Sequence, residues 1–201
     1  MYWIYAIFER VTWLFTFVLT RFFGSFKVIG RENLTGLPRP LMVIANHHTF
    51  FDPLIIGTLF PFFSRYIPIA FMVDDKYYNN PFLKFFFRLT QTFPSYYSRG
   101  LDVSLRGPRQ VLKNGGVFLI FPEGERHTAG PRPRPKRGAA TLALERPHLT
   151  ILPINLGYDS NKKATATIGR PFKLSNITTN SDLETVSRLL AEEIYKLEQV
   201  S

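Results

Sequence analysis

The stretch LMVIANHHTFFDPLIIGTLF, residues 41–60, consists of an apolar run, a short polar turn and a second apolar run. The first run is apolar at every position, which is typical of a strand buried on both faces of a parallel sheet. Asp52 fits the N-cap of a helix and Pro53 its first helical position, which predicts a helix that starts at the end of the turn. A strand that leads through a turn into a helix indicates an α/β protein, whose ligand sites lie where strands end and helices begin.

The same alternation continues on both sides of this stretch. Apolar runs predict further strands at 26–30, 66–73, 116–121 and 150–158. The segments between them predict helices, at NPFLKFFFRLTQ, DVSLRGPRQVLKN and GAATLALE, with a last helix from about Ser181 to Gln199. The sequence therefore predicts an α/β fold with a mixed, largely parallel sheet flanked by helices.

The first 24 residues, MYWIYAIFERVTWLFTFVLTRFFG, are mostly apolar and aromatic, but Glu9, Arg10 and Arg21 interrupt them. The unbroken apolar length falls short of the roughly 20 residues that a spanning helix needs, and each charge near a bilayer centre costs about 2.5–3.5 kcal/mol. We therefore expect residues 1–24 to form a membrane-associated helix that lies in the interface, and residues 25–201 to form one domain. A helix buried against that domain is the alternative.

Charge and cysteine content limit the classes of function. The net charge of +10 indicates a phosphate-bearing partner, whether nucleic acid, lipid headgroup or substrate. The absence of cysteine excludes disulfides, thiolate nucleophiles and cysteine-ligated zinc. The aromatic residues cluster in apolar runs and do not alternate with Lys and Arg, so we expect no nucleic-acid partner.

The turn after the first quoted strand holds His47 and, five residues later, Asp52. A carboxylate that holds one imidazole nitrogen raises the basicity of the other, which can then take a proton from an alcohol. His48 lacks an obvious carboxylate partner and is interpreted as structural. Two alternatives stay open: His47 is also structural, or the two histidines bind a metal with Asp52 and His127 in a hydrolase, although this is not a familiar metal spacing.

A second polar turn, in LIFPEGERH at 119–127, follows another predicted strand. Arg126 can grip a phosphate in bidentate fashion, Gly124 permits close backbone approach, and Glu123 can accept a hydrogen bond from a hydroxyl. This composition suits a phosphorylated polyol. A solvated turn with an internal ion pair is the alternative.

Four segments, NHHTFFD, PSYYSR, FPEGER and ILPIN, occur in the order and approximate spacing of four motif blocks. Together they resemble the lysophosphatidic acid acyltransferase family, the PlsC-like glycerolipid acyltransferases, over roughly residues 26–160. The resemblance implies transfer of a fatty acyl group from acyl-coenzyme A or acyl carrier protein to the free hydroxyl of lysophosphatidic acid, giving phosphatidic acid, with no metal or other cofactor. Another lysophospholipid or polar lipid acceptor, or a non-catalytic lipid-binding role, is the alternative.

The resemblance also implies a role for each matching residue. His47 would be the general base, and Asp52 would orient it. The implied substrate-binding residues are Arg99 for the acceptor phosphate, Glu123, Gly124 and Arg126 for the glycerol phosphate, and Pro153 for the acyl or acceptor pocket. The sequence does not assign the oxyanion donors; backbone amides near residues 47–50 are candidates, and Lys76 is a weaker one. Glu125 departs from the family, which usually has a small hydroxyl residue there.

The segment HTAGPRPRPKRG at 127–138 predicts an extended, solvated loop. Its cations would bind coenzyme A phosphates, acyl carrier protein or anionic headgroups, or would only solubilise the loop; they are Arg132, Arg134, Lys136 and Arg137. An aromatic anchor beside a basic domain favours a place at the cytoplasmic face of a membrane.

Overall fold

The computed structural model describes residues 2–23, 26–96, 98–127, 130–159, 163–176 and 182–200, and within them seven strands form one sheet. The strands are β1 (Lys27–Ile29), β2 (Leu41–Ala45), β3 (Ile69–Asp74), β4 (Thr92–Ser95), β5 (Val117–Ile120), β6 (Thr150–Tyr158) and β7 (Ala164–Ile168). Their order across the sheet is β1-β7-β6-β2-β5-β3-β4, and all neighbours are parallel except β6 and β7. The predicted mixed, largely parallel sheet is confirmed.

The strands at the centre of the sheet are those with continuous apolar sequences. Every residue of β2 and β5 is buried, as expected for strands covered on both faces. The apolar pattern predicts neither β4, TFPS, nor β7, ATATI. Their proline, threonine and alanine residues carry little hydrophobic signal, and both strands are defined by pairing with β3 and β6 respectively.

Helices cover both faces of the sheet. They are α1 (Tyr2–Phe23), α2 (Asp52–Leu59), α3 (Asp75–Tyr78), α4 (Pro81–Leu89), α5 (Leu101–Ser104), α6 (Arg106–Lys113), α7 (Arg137–Glu145) and α8 (Leu183–Tyr195). On one face Ile56 of α2 packs in a cluster with Val43 of β2. On the other face Leu142 of α7 and Leu190 of α8 pack with Phe118 of β5. The predicted last helix is confirmed as α8, while Ser181 lies outside the described residues.

Polar side chains of α1 attach this helix to the main chain of the domain. The three hydrogen bonds run from the Ile69 amide to Glu9 Oε1 at 2.7 Å, from Arg10 Nε to the Phe62 carbonyl at 3.2 Å, and from Trp13 Nε1 to the Phe60 carbonyl at 3.0 Å. Helix α1 also packs against α2 and α4. Glu9 and Arg10, the two ionisable residues that interrupt the apolar sequence in its middle, therefore bind the domain.

The other side of α1 presents large apolar side chains to the surroundings. Trp3, Ile7, Val11, Leu14 and Phe15 are all exposed. One side of helix α1 packs on the domain, as the alternative prediction has it, and the other side is uncovered. The predicted place of α1 in a membrane interface stays a prediction. Among the residues described, no helix has both the length and the apolar character that crossing a membrane requires.

Candidate active site

The two polar turns of the sequence meet at the carboxyl edge of the sheet. They follow β2 and β5, which are parallel neighbours, so both turns leave the sheet on the same side. The His127 amide donates to the His47 carbonyl at 2.7 Å, and His48 Nδ1 lies 2.7 Å from the His127 carbonyl. These contacts hold the two turns together.

Asp52 is the hydrogen-bonding centre of the first turn. It is fully buried and accepts five hydrogen bonds: from His47 Nδ1 at 2.9 Å, the His48 amide at 2.6 Å, the Thr49 amide at 2.8 Å, Thr49 Oγ1 at 2.6 Å and the Tyr158 hydroxyl at 2.7 Å. Burial alone would raise the pKa of Asp52, but these hydrogen bonds outweigh burial and hold the pKa below its ordinary value. Asp52 is therefore an ionised carboxylate.

The position of Asp52 corrects the helix-cap prediction. Helix α2 begins at Asp52 itself and its N-cap residue is Phe51, which makes no side-chain cap bond. The Asp52 carboxylate turns back to the amides of residues 48 and 49 instead of capping the first turn of α2. The carboxylate therefore organises the turn that carries His47.

The predicted contact between His47 and Asp52 is confirmed, and it determines the imidazole tautomer. Because an ionised carboxylate can only accept, the proton lies on Nδ1 and the lone pair on Nε2. One face of the ring stacks on Phe121, with centroids 4.0 Å apart and planes inclined by 14°. The ring is thereby held in one orientation, with its basic nitrogen on the side away from Asp52.

His48 is fixed by protein groups at both ring nitrogens, which agrees with its predicted structural role. Nδ1 contacts the His127 carbonyl, and Nε2 lies 2.8 Å from Asn46 Nδ2. Asn46 is buried and also exchanges hydrogen bonds with the main chain of Leu156 in β6. The alternative metal site loses His48 as a ligand, and within the described part of the chain no group of three or more candidate metal ligands occurs.

Glu123 is buried below the turn that carries His47. Its Oε2 accepts the His47 amide at 2.9 Å, and its Oε1 accepts the Tyr195 hydroxyl at 2.7 Å. The predicted contact of Glu123 with a substrate hydroxyl stays a prediction, whereas these two protein contacts are observed. The next residue, Gly124, has φ +69°, and a Cβ there would lie 2.6 Å from Lys136 Cγ, so this turn requires glycine.

A cavity of about 380 Å³ opens beside His47. Its wall is mainly apolar and comes from α1, α2, β3 and α4; among its residues are Phe8, Phe50, Leu54, Phe71, Leu83 and Phe86. Lys76 and Arg126 contribute cations to the same wall. This volume lies within the range of roughly 300–1,000 Å³ that is usual for small-molecule sites, and the lining suits an aliphatic chain beside a polar group.

The two arginines that are predicted to bind phosphate lie beside different cavities. Arg126 donates to the Tyr77 hydroxyl at 3.3 Å and lines the cavity beside His47. Arg99 is exposed and lies over the Tyr96 ring at 4.7 Å. Tyr96 lines a second cavity of about 270 Å³, and Phe121 lines both cavities. Of the other predicted residues, Pro153 is buried inside β6, paired with Ile44.

The basic loop is largely paired with acidic residues of the protein. Arg132 forms an ion pair with Glu198, and Arg134 contacts Glu184 of α8 at 2.7 Å. Lys136 lies 4.0 Å from Glu125, the residue that departs from the family pattern. The pairs of Arg132 and Arg134 join the loop to the carboxyl-terminal segment, and all three pairs reduce the positive charge that the loop offers to a ligand.

Sequence reasoning missed four residues that shape the site. Asn46 and Thr49 stand in the first motif block but carry no catalytic signal of their own, and Phe121 opens the FPEGER block as an ordinary apolar residue. Tyr158 ends a long apolar strand, 106 residues from its partner Asp52. An uncharged hydroxyl at the carboxyl end of a predicted parallel strand is the one sequence signal that would have identified it.

A family model described as Acyltransferase matches residues 25–157. The chain belongs to the acyltransferase family. The matched range contains the dyad of His47 and Asp52 and both polar turns, and it excludes α1 and α8.

Relatives of the chain carry more specific names. The 1-acyl-sn-glycerol-3-phosphate acyltransferase of Saccharomyces cerevisiae is 32% identical over 133 residues, which are 64% of this chain and 41% of that protein. The protein of the same name from Bacillus subtilis is 28% identical over 121 residues, 60% of this chain and 57% of that protein. The matched segment spans about half the length of these relatives. These matches confirm the predicted resemblance to the lysophosphatidic acid acyltransferase family.

A solved structure has the same fold. The crystal structure of the 1-acyl-sn-glycerophosphate acyltransferase PlsC from Thermotoga maritima aligns with a TM-score of 0.70, covering 96% of this chain and 79% of that one. The identity is 20%, so this likeness concerns the fold alone.

Proposed function

We propose that this protein transfers a fatty acyl group from a thioester to the free hydroxyl of lysophosphatidic acid, giving phosphatidic acid. The observation that carries the proposal is the His47–Asp52 dyad on the wall of a mainly apolar cavity. The family match and the names of the relatives support the same reaction.

In the proposed mechanism, His47 Nε2 removes the proton from the acceptor hydroxyl while the oxygen of that hydroxyl attacks the carbonyl carbon of the thioester. The carbon–sulfur bond then breaks, and the proton passes from His47 to the leaving thiolate. Asp52 stabilises the imidazolium that forms between these steps. A thioester is already activated, so a base and close alignment of the two substrates are the main requirements.

Stabilisation of the oxyanion requires a donor that the protein does not already use. The amides of His47, His48 and Thr49 donate to Glu123 and Asp52, which removes these three from the predicted candidates. Lys76 lines the cavity beside His47, and its ammonium group lies 3.6 Å from Asp74 Oδ2. An ammonium group has three N–H donors, so this ion pair leaves others for a ligand, and we propose Lys76 as a donor.

Arg126 is the proposed phosphate ligand, because it lines the same cavity as His47. Arg99 and the second cavity are the proposed place for a further phosphate of either substrate. Acyl-coenzyme A and acyl carrier protein both remain proposed donors. Another lysophospholipid or polar lipid is the second candidate acceptor, since Glu125 adds a negative charge beside the site.

We also propose that the protein binds to the cytoplasmic face of a membrane. The exposed apolar side of α1 supports this, and so do other large exposed side chains: Phe63 is 89% exposed, and Phe82 and Phe85 of α4 are 84% and 64% exposed. Phe8 of α1 and Phe86 of α4 both line the cavity, so a bilayer against these helices would supply lipids directly to it.

The test is to incubate purified protein with a panel of acyl donors and lysolipids and to identify products by mass spectrometry. We expect phosphatidic acid from lysophosphatidic acid, and a loss of at least about 10²-fold in His47→Ala. His148→Ala removes an exposed histidine and serves as the control. Lipid binding without turnover would favour the non-catalytic alternative, and turnover of another acceptor would replace lysophosphatidic acid.

A further inference from the structure

A chain of two hydrogen bonds links the carboxyl-terminal helix to the main chain of His47. Glu123 is 4% exposed and lies between the Tyr195 hydroxyl, at 2.7 Å, and the His47 amide, at 2.9 Å. Each carboxylate oxygen thus serves one partner. The Glu123 carboxylate therefore connects Tyr195 of α8 to the main chain of His47.

Tyr195 is itself fixed from its other side. The Arg132 guanidinium lies 4.0 Å from the centroid of the Tyr195 ring, and Arg132 also pairs with Glu198 just beyond α8. Burial and the hydrogen bond to Glu123 raise the pKa of the Tyr195 hydroxyl above its ordinary value, so the hydroxyl keeps its proton and remains a donor. Tyr195 lies outside the range matched by the family model.

We infer that Tyr195 is a positioning residue: its hydroxyl orients Glu123, and Glu123 holds the His47 main chain so that the imidazole meets the acceptor hydroxyl. The inference rests on the proposed function only for the role of His47. Without the Tyr195 hydroxyl, the buried Oε1 of Glu123 has lost its partner, and the side chain must turn to find another. A small displacement of a catalytic group can cost about 10²-fold in rate.

The proposed test compares Tyr195→Phe with Tyr66→Phe. Tyr66 is a buried tyrosine whose hydroxyl donates to the Leu37 carbonyl at 3.0 Å, and it is not among the residues that line the cavity beside His47. Each variant therefore loses one hydroxyl and one hydrogen bond. We expect both to lower the unfolding temperature, but only Tyr195→Phe to lower kcat, by about 10–100-fold with KM nearly unchanged.

A double-mutant cycle tests whether Tyr195 acts on His47 through Glu123. Glu123→Ala removes the link completely, so adding Tyr195→Phe to it should change kcat by less than about twofold. Equal kcat values for Tyr195→Phe and Tyr66→Phe, or losses that multiply in the double variant, would overturn the inference.

Hydrogen exchange of the His47 amide, followed by NMR, needs no substrate. Exchange should accelerate in Tyr195→Phe relative to both the wild-type protein and Tyr66→Phe, because the Glu123 acceptor is no longer held. Unchanged exchange in Tyr195→Phe would contradict the inference. This measurement separates failure of the link from failure of the proposed reaction, since it applies even if no acyl transfer is found.

Discussion

The carboxyl group of Glu9 is buried beside Ile69, the first residue of β3. The stability of the packing of α1 on the domain should therefore depend on pH. Oε1 accepts the Ile69 amide, whereas Oε2 is buried with no hydrogen-bond partner among the residues that the structure describes. Burial raises the pKa of Glu9 from 4.5 to about 8, and the Ile69 hydrogen bond and the charge of Arg10 offset only part of that effect. Glu9 is therefore mostly protonated at neutral pH.

The raised pKa of Glu9 determines whether the free energy of unfolding rises or falls with pH, and over which pH range it changes. Between pH 4.5 and about 8, the unfolded chain releases the Glu9 proton while the folded protein retains it. The free energy of unfolding therefore falls as pH rises through this range and is level outside it. At about 1.4 kcal/mol per pH unit, the full range corresponds to roughly 5 kcal/mol. This is an upper limit, because local detachment of α1 would let the ionised carboxylate reach water.

Glu9→Gln should remove this dependence, since glutamine has the same shape and no proton to lose. Denaturant unfolding of both proteins at about pH 5 and pH 9 gives the difference in their free energies of unfolding, in which the titration of Asp52 and other shared groups cancels. We expect the wild-type protein to lose on the order of 3–5 kcal/mol relative to the variant between these pH values. A difference that stays constant within about 0.5 kcal/mol would refute the reasoning.

Three further predictions concern the site and its surroundings. Asp52→Asn should lower kcat by about 10²-fold or more, because the amide cannot orient and stabilise the imidazolium as a carboxylate does; steady-state kinetics that match the wild type would contradict this. Gly124→Ala should lower the free energy of unfolding by about 1–2 kcal/mol in denaturant titrations, owing to φ +69° and the contact with Lys136; no loss would show that the turn relaxes. Phe82→Asp combined with Phe85→Asp should reduce co-sedimentation with anionic vesicles, and unchanged binding would exclude α4 from the membrane-binding surface.

Sequence reasoning succeeded where the evidence for a feature is local. The apolar runs of β2 and β5 identify strands buried on both faces, and the polar turns after them identify the edge at which chemistry occurs. His47 and Asp52 are five residues apart, so their contact is formed within one turn. Alternating small residues in β7 give no comparable signal, because pairing with β6 and β1 defines that strand.

The contrast between local sequence signals and distant contacts also applies to Glu9 and Arg10 of α1. The sequence indicates that Glu9 and Arg10 oppose a spanning helix, and it leaves open whether they face solvent, lipid or protein. Their partners, the amide of Ile69 and the carbonyl of Phe62, are more than 50 residues away along the chain. Only the packing of α1 on the domain decides that these side chains bind the main chain of the domain.

The amino-acid sequence by itself determined the α/β class, the dyad and the two polar turns, because each depends on residues close together in the chain. Tertiary structure alone decided that Tyr158 binds Asp52, that Phe121 stacks on His47 and that Tyr195 reaches Glu123 from 72 residues away. The physical reason is that parallel strands bring distant segments to one edge of the sheet, where burial requires polar groups to find partners wherever the fold supplies them.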